Sequence, residues 1–99
     1  MRASISFSAR ASRETYAAGL HWRQEHPTKA DAFTDELGAT LERLEEYPQL
    51  GRRVLATKRS NLRRILLLTT GFHLYYRFKG GNEVLVLSIW KANRRPPKL

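Results

Sequence analysis

The sequence predicts an α+β fold in which an N-terminal strand and a two-helix hairpin pack on a small twisted antiparallel sheet of three to four strands. Two observations support this fold class. Apolar residues recur at helical spacing through the first half of the chain, whereas the second half has strand-like runs separated by glycine turns. A length of 99 residues suits one domain, so we expect a single unit over 1–99 with a basic C-terminal tail at 93–99.

The chain begins with a predicted short strand and a first helix. Ile5 and Phe7 alternate with serines, which places both apolar side chains on one face of a strand. Ser8 then stands where a helix N-cap belongs. The helix continues to about His26, because the residue before Pro27 is disfavoured in the α region. Its apolar face contains Ala11, Thr15, Ala18 and Trp22.

The second helix carries the clearest apolar stripe in the sequence. Thr28 is its expected N-cap, and Tyr47 and Pro48 end it before a turn that finishes at Gly51. A short proline break between two helices predicts an antiparallel helical hairpin. The stripe consists of Ala30, Phe33, Leu37, Leu41 and Leu44, and we expect its last four members to be buried.

Strand signals take over after Gly51. We expect a short strand in 52–55, a polar loop at 57–60, and three longer strands within 62–69, 72–78 and 83–90. The turns between the longer strands lie at Thr70-Gly71 and at 79–82, where adjacent glycines supply positive φ. The buried set should also include Ile5, Phe7 and parts of 65–68 and 84–89.

The charge distribution changes where the strands begin. Residues 1–51 carry six Lys/Arg and eight Asp/Glu, whereas residues 52–99 carry twelve Lys/Arg and one acid, Glu83. Such an excess of positive charge attracts acidic proteins or nucleic acids. The sequence contains no cysteine, no signal-peptide pattern and no apolar run that could span a bilayer, so we expect a cytoplasmic protein without membrane contact.

Few residue patterns indicate cofactor chemistry. The spacing of His21, His26 and His73 matches no zinc motif, and no glycine-rich phosphate loop is present. We therefore predict neither a metal nor a cofactor. The stronger candidate is a basic cluster with Tyr75 and Tyr76 among its members, suited to an anionic or acidic partner. Its cations are Arg63, Arg64, Arg77, Lys91, Arg94 and Arg95.

Several pieces of the chain, taken in order, resemble one family. They are Ile5-x-Phe7, the second-helix stripe with its Pro48-x-x-Gly51 exit, Leu62-Arg63-Arg64, His73-Leu-Tyr-Tyr-Arg77, and the final strand with Trp90 and Arg94. This order is similar to that of RelE/ParE-superfamily toxins of bacterial type II toxin–antitoxin systems, and is closer to the ParE-like members. Lys91 stands where many members have histidine, and no tyrosine follows Tyr76.

The resemblance implies a toxin that binds DNA gyrase, inhibits growth and is neutralised by a cognate antitoxin with a small acidic segment. The expected target contacts are Trp90 and Lys91, where the last strand ends, and Arg94, Arg95 and Lys98, on a tail that stays accessible and is dispensable for folding. The expected antitoxin contacts are Arg52, Arg53, Arg63 and Arg77.

Two alternatives remain open at this point. The first is a RelE-like endoribonuclease that cleaves mRNA on the ribosome, which requires charge and proton-transfer groups. That enzyme would use Arg63, Tyr76, Arg77, Lys91 and Arg94. The second is an inactive binding module of the same fold. Which face each strand arginine occupies depends on strand register, since a shift of one residue moves the side chain to the other face.

Overall fold

The computed structural model describes residues 2–55 and 61–99, and the predicted loop at 57–60 lies outside them. Within the described residues the predicted α+β fold is confirmed. The elements in chain order are β1 (Ser4–Phe7), α1 (Ala9–Glu25), a 3-10 helix (Pro27–Lys29), α2 (Ala32–Glu46), β2 (Arg52–Arg53), β3 (Leu62–Leu67), β4 (Phe72–Phe78) and β5 (Glu83–Lys91).

The described strands form one five-stranded sheet in the order β1-β5-β4-β3-β2. The strand count is higher than predicted, and the sheet is mixed because β1 pairs with β5 in parallel, with Phe7 beside Val86. A parallel pair requires a long crossover connection. Here the helices and the other three strands provide it. The remaining pairs are antiparallel, as predicted.

The helix boundaries confirm the first predicted cap and correct the second. The Ser8 hydroxyl oxygen accepts a hydrogen bond from the Ala11 backbone nitrogen at 3.0 Å. Thr28 does not cap α2, because Pro27 begins a separate 3-10 turn and α2 starts only at Ala32. That turn is held by the Trp22 indole, which donates to the Lys29 carbonyl at 2.8 Å.

The main hydrophobic core lies between the helices and one side of the sheet, which we call the helical face. It carries Leu74, Val84 and Val86, while its opposite, the open face, carries Arg64 and Tyr75. The expected burial of α2 is confirmed for three of the four residues, and Leu41 is partly buried with Ile5 and Phe7. The three buried α2 residues are Phe33, Leu37 and Leu44.

Both predicted glycine turns are present. Gly71 has φ of 79°, and Gly80 and Gly81 have φ of 79° and 57°, in the left-handed region that glycine tolerates best. Glu36 of α2 holds the first turn to the helices. Its carboxylate accepts hydrogen bonds from the backbone nitrogens of Thr69 (2.6 Å) and Thr70 (3.0 Å) and from the Thr70 hydroxyl (2.7 Å).

Candidate protein-binding surface

Among the described residues, no carboxylate forms an ion pair with a cation of the basic second half. All the ion pairs in residues 2–55 and 61–99 join two residues of the first half, such as Arg2 with Glu45 at 2.7 Å and Arg10 with Glu14 at 3.1 Å. Glu36 binds backbone and hydroxyl groups instead. The positive charge of the sheet is therefore not balanced within the described part of the fold, and it is available to an external anion.

Arginines lie opposite one another at the β2 edge of the sheet. Arg52 pairs with Arg64, and Arg53 pairs with Arg63. Like charges in directly opposed positions destabilise a sheet. Arg52 and Arg64 face the open side, since Arg64 is also the cross-strand neighbour of Tyr75. This arrangement is costly in isolation and favourable when an anion bridges the two guanidinium groups.

The guanidinium of Arg63 forms hydrogen bonds within the fold. Its guanidinium donates to the Gln49 carbonyl at 3.1 Å and to the Gly51 carbonyl at 2.7 Å, and so holds the turn between α2 and β2. A guanidinium engaged in this way is less available to an antitoxin or a phosphate than its exposed neighbours Arg52 and Arg53.

Tyr76 is buried on the helical face beside Arg63. Its hydroxyl accepts a hydrogen bond from the Gly51 backbone nitrogen at 2.8 Å and donates one to the Pro48 carbonyl at 2.8 Å. Burial raises the pKa of the phenol, although the Gly51 hydrogen bond and the charge of Arg63 act in the opposite direction. The hydroxyl is therefore poorly suited to exchange a proton with a bound substrate.

The residues expected for a ribonuclease do not converge. Arg77 lies on the open face between Leu62 and Leu85, whereas Tyr76 lies on the helical face. Lys91 pairs with Phe72, four residues from Tyr76 along β4, or about 13 Å for an extended strand. The Nε atom of Arg77 is buried and has no hydrogen-bond partner among the described residues.

Three of the five predicted target contacts line one groove. Trp90, Lys91 and Arg94 face the C-terminal half of α1 across a cavity of about 430 Å³, where Leu20 and Gln24 form the opposite wall. The ammonium group of Lys91 lies 5.1 Å from the centre of the Phe72 ring, a cation–π contact. Lys98 is separate from this set and lines a different groove.

The C-terminal tail is anchored rather than free. The Trp90 indole donates to the Arg95 carbonyl at 2.8 Å, and the Arg10 guanidinium donates to the Lys98 carbonyl at 2.8 Å. The side chains of Arg94, Arg95 and Lys98 are nevertheless exposed, as predicted. The tail backbone returns along the open face, and its predicted dispensability for folding stays a prediction.

Residues 96–99 of the tail form one wall of a groove of about 940 Å³ on the open face. We call it the tail groove. Its other wall includes Arg52, Arg64, Leu62 and Tyr75. His73 lies near this region and contacts the Tyr75 ring edge-on at 5.9 Å. Burial, and then the charge of Arg64, lower the pKa of His73 below its ordinary value.

The comparisons with known proteins decide the family. Residues 5–96 match the model of the ParE toxin of the type II toxin–antitoxin system parDE.

The chain belongs to this family.

No curated protein matches the sequence significantly. No described helix of this ParE-family chain is long and apolar enough to cross a membrane.

Solved structures show that the fold is shared. The chromosomal ParDE system from P. aeruginosa contains a chain 19% identical, with a TM-score of 0.72, covering 93% of this chain and 98% of that one. A mutant of E. coli toxin RelE in the free state is 23% identical, with a TM-score of 0.64 and coverages of 94% and 86%. The intact E. coli RelBE toxin–antitoxin complex gives 23% identity, a TM-score of 0.63 and coverages of 95% and 100%.

Sequence reasoning missed the role of Arg10 and the placement of Arg64 on the surface of this ParE-family chain. Arg64 was recognised as basic, but its position opposite Arg52 follows from strand register, which the sequence does not reveal. Arg10 contacts the tail 88 positions away. Arg10 lies four residues before Glu14, a spacing that predicts an ion pair on a helix. That spacing does not predict the contact with Lys98.

Proposed function

We propose that this ParE-family chain inhibits growth by binding DNA gyrase and acts without catalysis. The observation that carries the proposal is the environment of Tyr76, whose buried hydroxyl is already hydrogen-bonded to Gly51 and Pro48. A ribonuclease of this fold needs groups that transfer protons at the scissile phosphate. An inhibitor needs an exposed basic surface, and Trp90, Lys91 and Arg94 line such a groove.

Parallel assays of the purified chain test this function in the cytoplasmic context that we propose. Gyrase supercoiling should be inhibited in a dose-dependent manner, while mRNA programmed on ribosomes should remain intact. Cleavage of that mRNA without gyrase inhibition would overturn the proposal in favour of the ribonuclease, which the likeness to RelE supports as the alternative. Inertness of the folded chain in both assays would instead indicate an inactive binding module.

We further propose that a cognate antitoxin neutralises the chain. The ParDE and RelBE structures contain toxins of the same fold within toxin–antitoxin systems. An acidic segment of the antitoxin would contact Arg52 and Arg53, which are both exposed, and Arg77 would be a further contact. Arg63 would contribute indirectly, by holding the turn that precedes Arg52. Complementary charge mainly accelerates association, while apolar anchors set the lifetime of a complex.

The dependence of this association on salt tests the electrostatic part. The association rate of the purified pair should fall steeply as ionic strength rises, with a smaller change in the dissociation rate. The double substitution Arg52→Ser with Arg53→Ser should flatten that dependence. A rate that is insensitive to salt in the unsubstituted pair would contradict the role of these arginines.

A further inference from the structure

Two buried apolar side chains of the described residues lie outside the main core. Leu62 and Tyr75 are each only 3% exposed, yet neither belongs to the cluster between the helices and the sheet. Tyr75 is on the open face, opposite to the helices, and Leu62 shares that face through its pairing with Arg77. Residues 96–99 line the same groove as both side chains. The tail therefore lies across a groove from a second, smaller apolar cluster on the open face.

Two contacts fix the tail in this position. One is made by α1, where Arg10 donates to the Lys98 carbonyl, and the other by β5, where Trp90 donates to the Arg95 carbonyl, each at 2.8 Å. The Arg10 guanidinium also lies 5.7 Å from the centre of the Trp90 ring, so the two anchors are in contact with each other. These contacts hold the tail in place as one wall of the tail groove.

The tail groove stays open although the tail is in place. Its volume of about 940 Å³ is within the usual range of about 300–1,000 Å³ for ligand pockets. The lining includes four cations, Arg52, Arg53, Arg64 and Lys98, and no carboxylate side chain among the described residues. Arg52 and Arg64 are directly opposed across β2 and β3, where an anion would relieve their repulsion.

The rest of the lining favours a polypeptide over a nucleic acid. Apolar side chains from both walls are present, including Val54, Pro97 and Leu55, which is 81% exposed. These suit the apolar anchors of a peptide. Nucleic-acid sites of this size use aromatic faces on which bases stack. Among the described residues of this groove, the aromatic ring is that of Tyr75, which is buried and offers no such face.

We propose that the tail groove binds an extended acidic segment of a protein partner between the arginines of β2 and β3 and the chain's own tail. Arg64 and Lys98 are thereby assigned as contacts for the partner's carboxylates. The inference deepens the proposed function, since the occupant has the chemistry of the acidic antitoxin segment. It adds that the tail contributes to binding, so that removing the tail weakens the complex instead of exposing the site.

Binding of the acetylated peptide Leu-Glu-Glu-Leu-Glu-Glu, followed by fluorescence anisotropy, tests the charged lining. Arg64→Ser and Lys98→Ser should each weaken binding by about fivefold or more, and a peptide with glutamine in place of glutamate should bind as weakly. Arg13→Ser is the matched control, since Arg13 is exposed on α1 outside the groove, and should bind normally. Equal binding by all three variants would overturn the proposal.

A chain ending at Asn93 tests the role of the tail. Because the sequence has no cysteine, Leu62→Cys and Leu67→Cys each provide a single reporter thiol. Shortening should accelerate labelling of the thiol at 62, in the groove that the tail walls, and leave that at 67, in the main core, protected. It should also weaken peptide binding by about fivefold or more. Tighter binding by the shortened chain would overturn the proposal, because the tail would then be an obstruction.

The remaining outcomes are also decisive. If hexathymidylate binds in an Arg64-dependent manner and the peptide does not, the groove is a nucleic-acid site and the proposal is wrong. If shortening leaves labelling at position 62 unchanged, the tail does not wall the groove and the proposal is likewise wrong. Neither result affects the gyrase and antitoxin assays, so failure of this inference is distinguishable from failure of the proposed function.

Discussion

The hydroxyl of Tyr76 lies 2.8 Å from the backbone nitrogen of Gly51 and accepts its hydrogen bond. The same hydroxyl donates to the Pro48 carbonyl, so one side chain of β4 satisfies both ends of the turn that follows α2. Arg63 adds a second connection from β3 to that turn. The tyrosine and the proline–glycine turn of the sequence are therefore parts of a single structural unit.

Tyr76→Phe should lower the free energy of unfolding by about 1–3 kcal/mol, because it leaves a buried backbone donor and a partly buried acceptor unpaired. Urea denaturation measures the change. Tyr47→Phe is the control, since Tyr47 is 62% exposed, and should be neutral. Gyrase inhibition by the folded Tyr76→Phe protein should persist. Complete loss of growth inhibition by a variant that is still folded would instead support proton transfer by Tyr76.

Gly51→Ala should also destabilise the fold, by about 1–3 kcal/mol. A Cβ atom at position 51 would lie 2.8 Å from Cε1 of Tyr76 and 2.9 Å from the Arg64 carbonyl oxygen, both too close. Gly38→Ala provides the opposite control. A Cβ there meets nothing within 4 Å, and alanine is favoured by about 1 kcal/mol inside a helix. The two substitutions should shift the urea midpoint in opposite directions, and a shift in the same direction would contradict this packing.

The Glu36 carboxylate makes the free energy of unfolding depend on pH in the acid range. Burial alone would raise the pKa of Glu36, but the hydrogen bonds from Thr70 and Thr69 outweigh it and lower the pKa below its ordinary value of 4.5. The unfolded chain therefore binds the proton more readily. The stabilisation from Glu36 is fully present above pH 4.5 and is lost as the pH falls through the folded-state pKa.

Glu36→Gln tests this dependence through urea unfolding at pH values between about 3 and 7. Near neutral pH the substitution should lower the free energy of unfolding by about 1 kcal/mol. The effect is this small because the carboxylate is partly exposed to solvent. The difference in free energy of unfolding between the variant and the unsubstituted chain should become smaller at the lowest pH values. Glu42→Gln, at an exposed position on the same helix, should show no such convergence. A constant difference across the range would contradict the role of the carboxylate charge.

The exposed charges of the tail should matter for growth inhibition independently of folding. Arg94→Gln with Arg95→Gln removes two exposed guanidinium groups and retains the Arg95 carbonyl that Trp90 binds. We expect gyrase inhibition to fall by about tenfold or more, with an unchanged urea midpoint, since charged residues at an interface act mainly on binding. Arg13→Gln should retain full inhibition. Full inhibition by the double variant would remove the tail arginines from the target surface.

Local patterns in the sequence were sufficient for the helices and the turns. The stripe from Phe33 to Leu44 predicted which side of α2 is buried, and the Ser8 cap and the glycine turns followed from short-range chemistry. The 3-10 turn at Pro27 was missed because proline stops one helix without specifying where the next begins. Charge counts likewise required no structure, since they depend on composition alone.

Tertiary structure decided which face of the sheet each arginine occupies. Arg63 and Arg64 are adjacent in the chain, yet one holds a turn on the helical face and the other faces Arg52 on the open face. Strand register fixes that difference, and register arises from contacts between residues far apart in sequence. The parallel placement of β1 beside β5 and the anchoring of Lys98 by Arg10 have the same origin. The sequence by itself determined an α+β chain with a basic second half, whereas long-range packing alone decided which arginines could reach a partner.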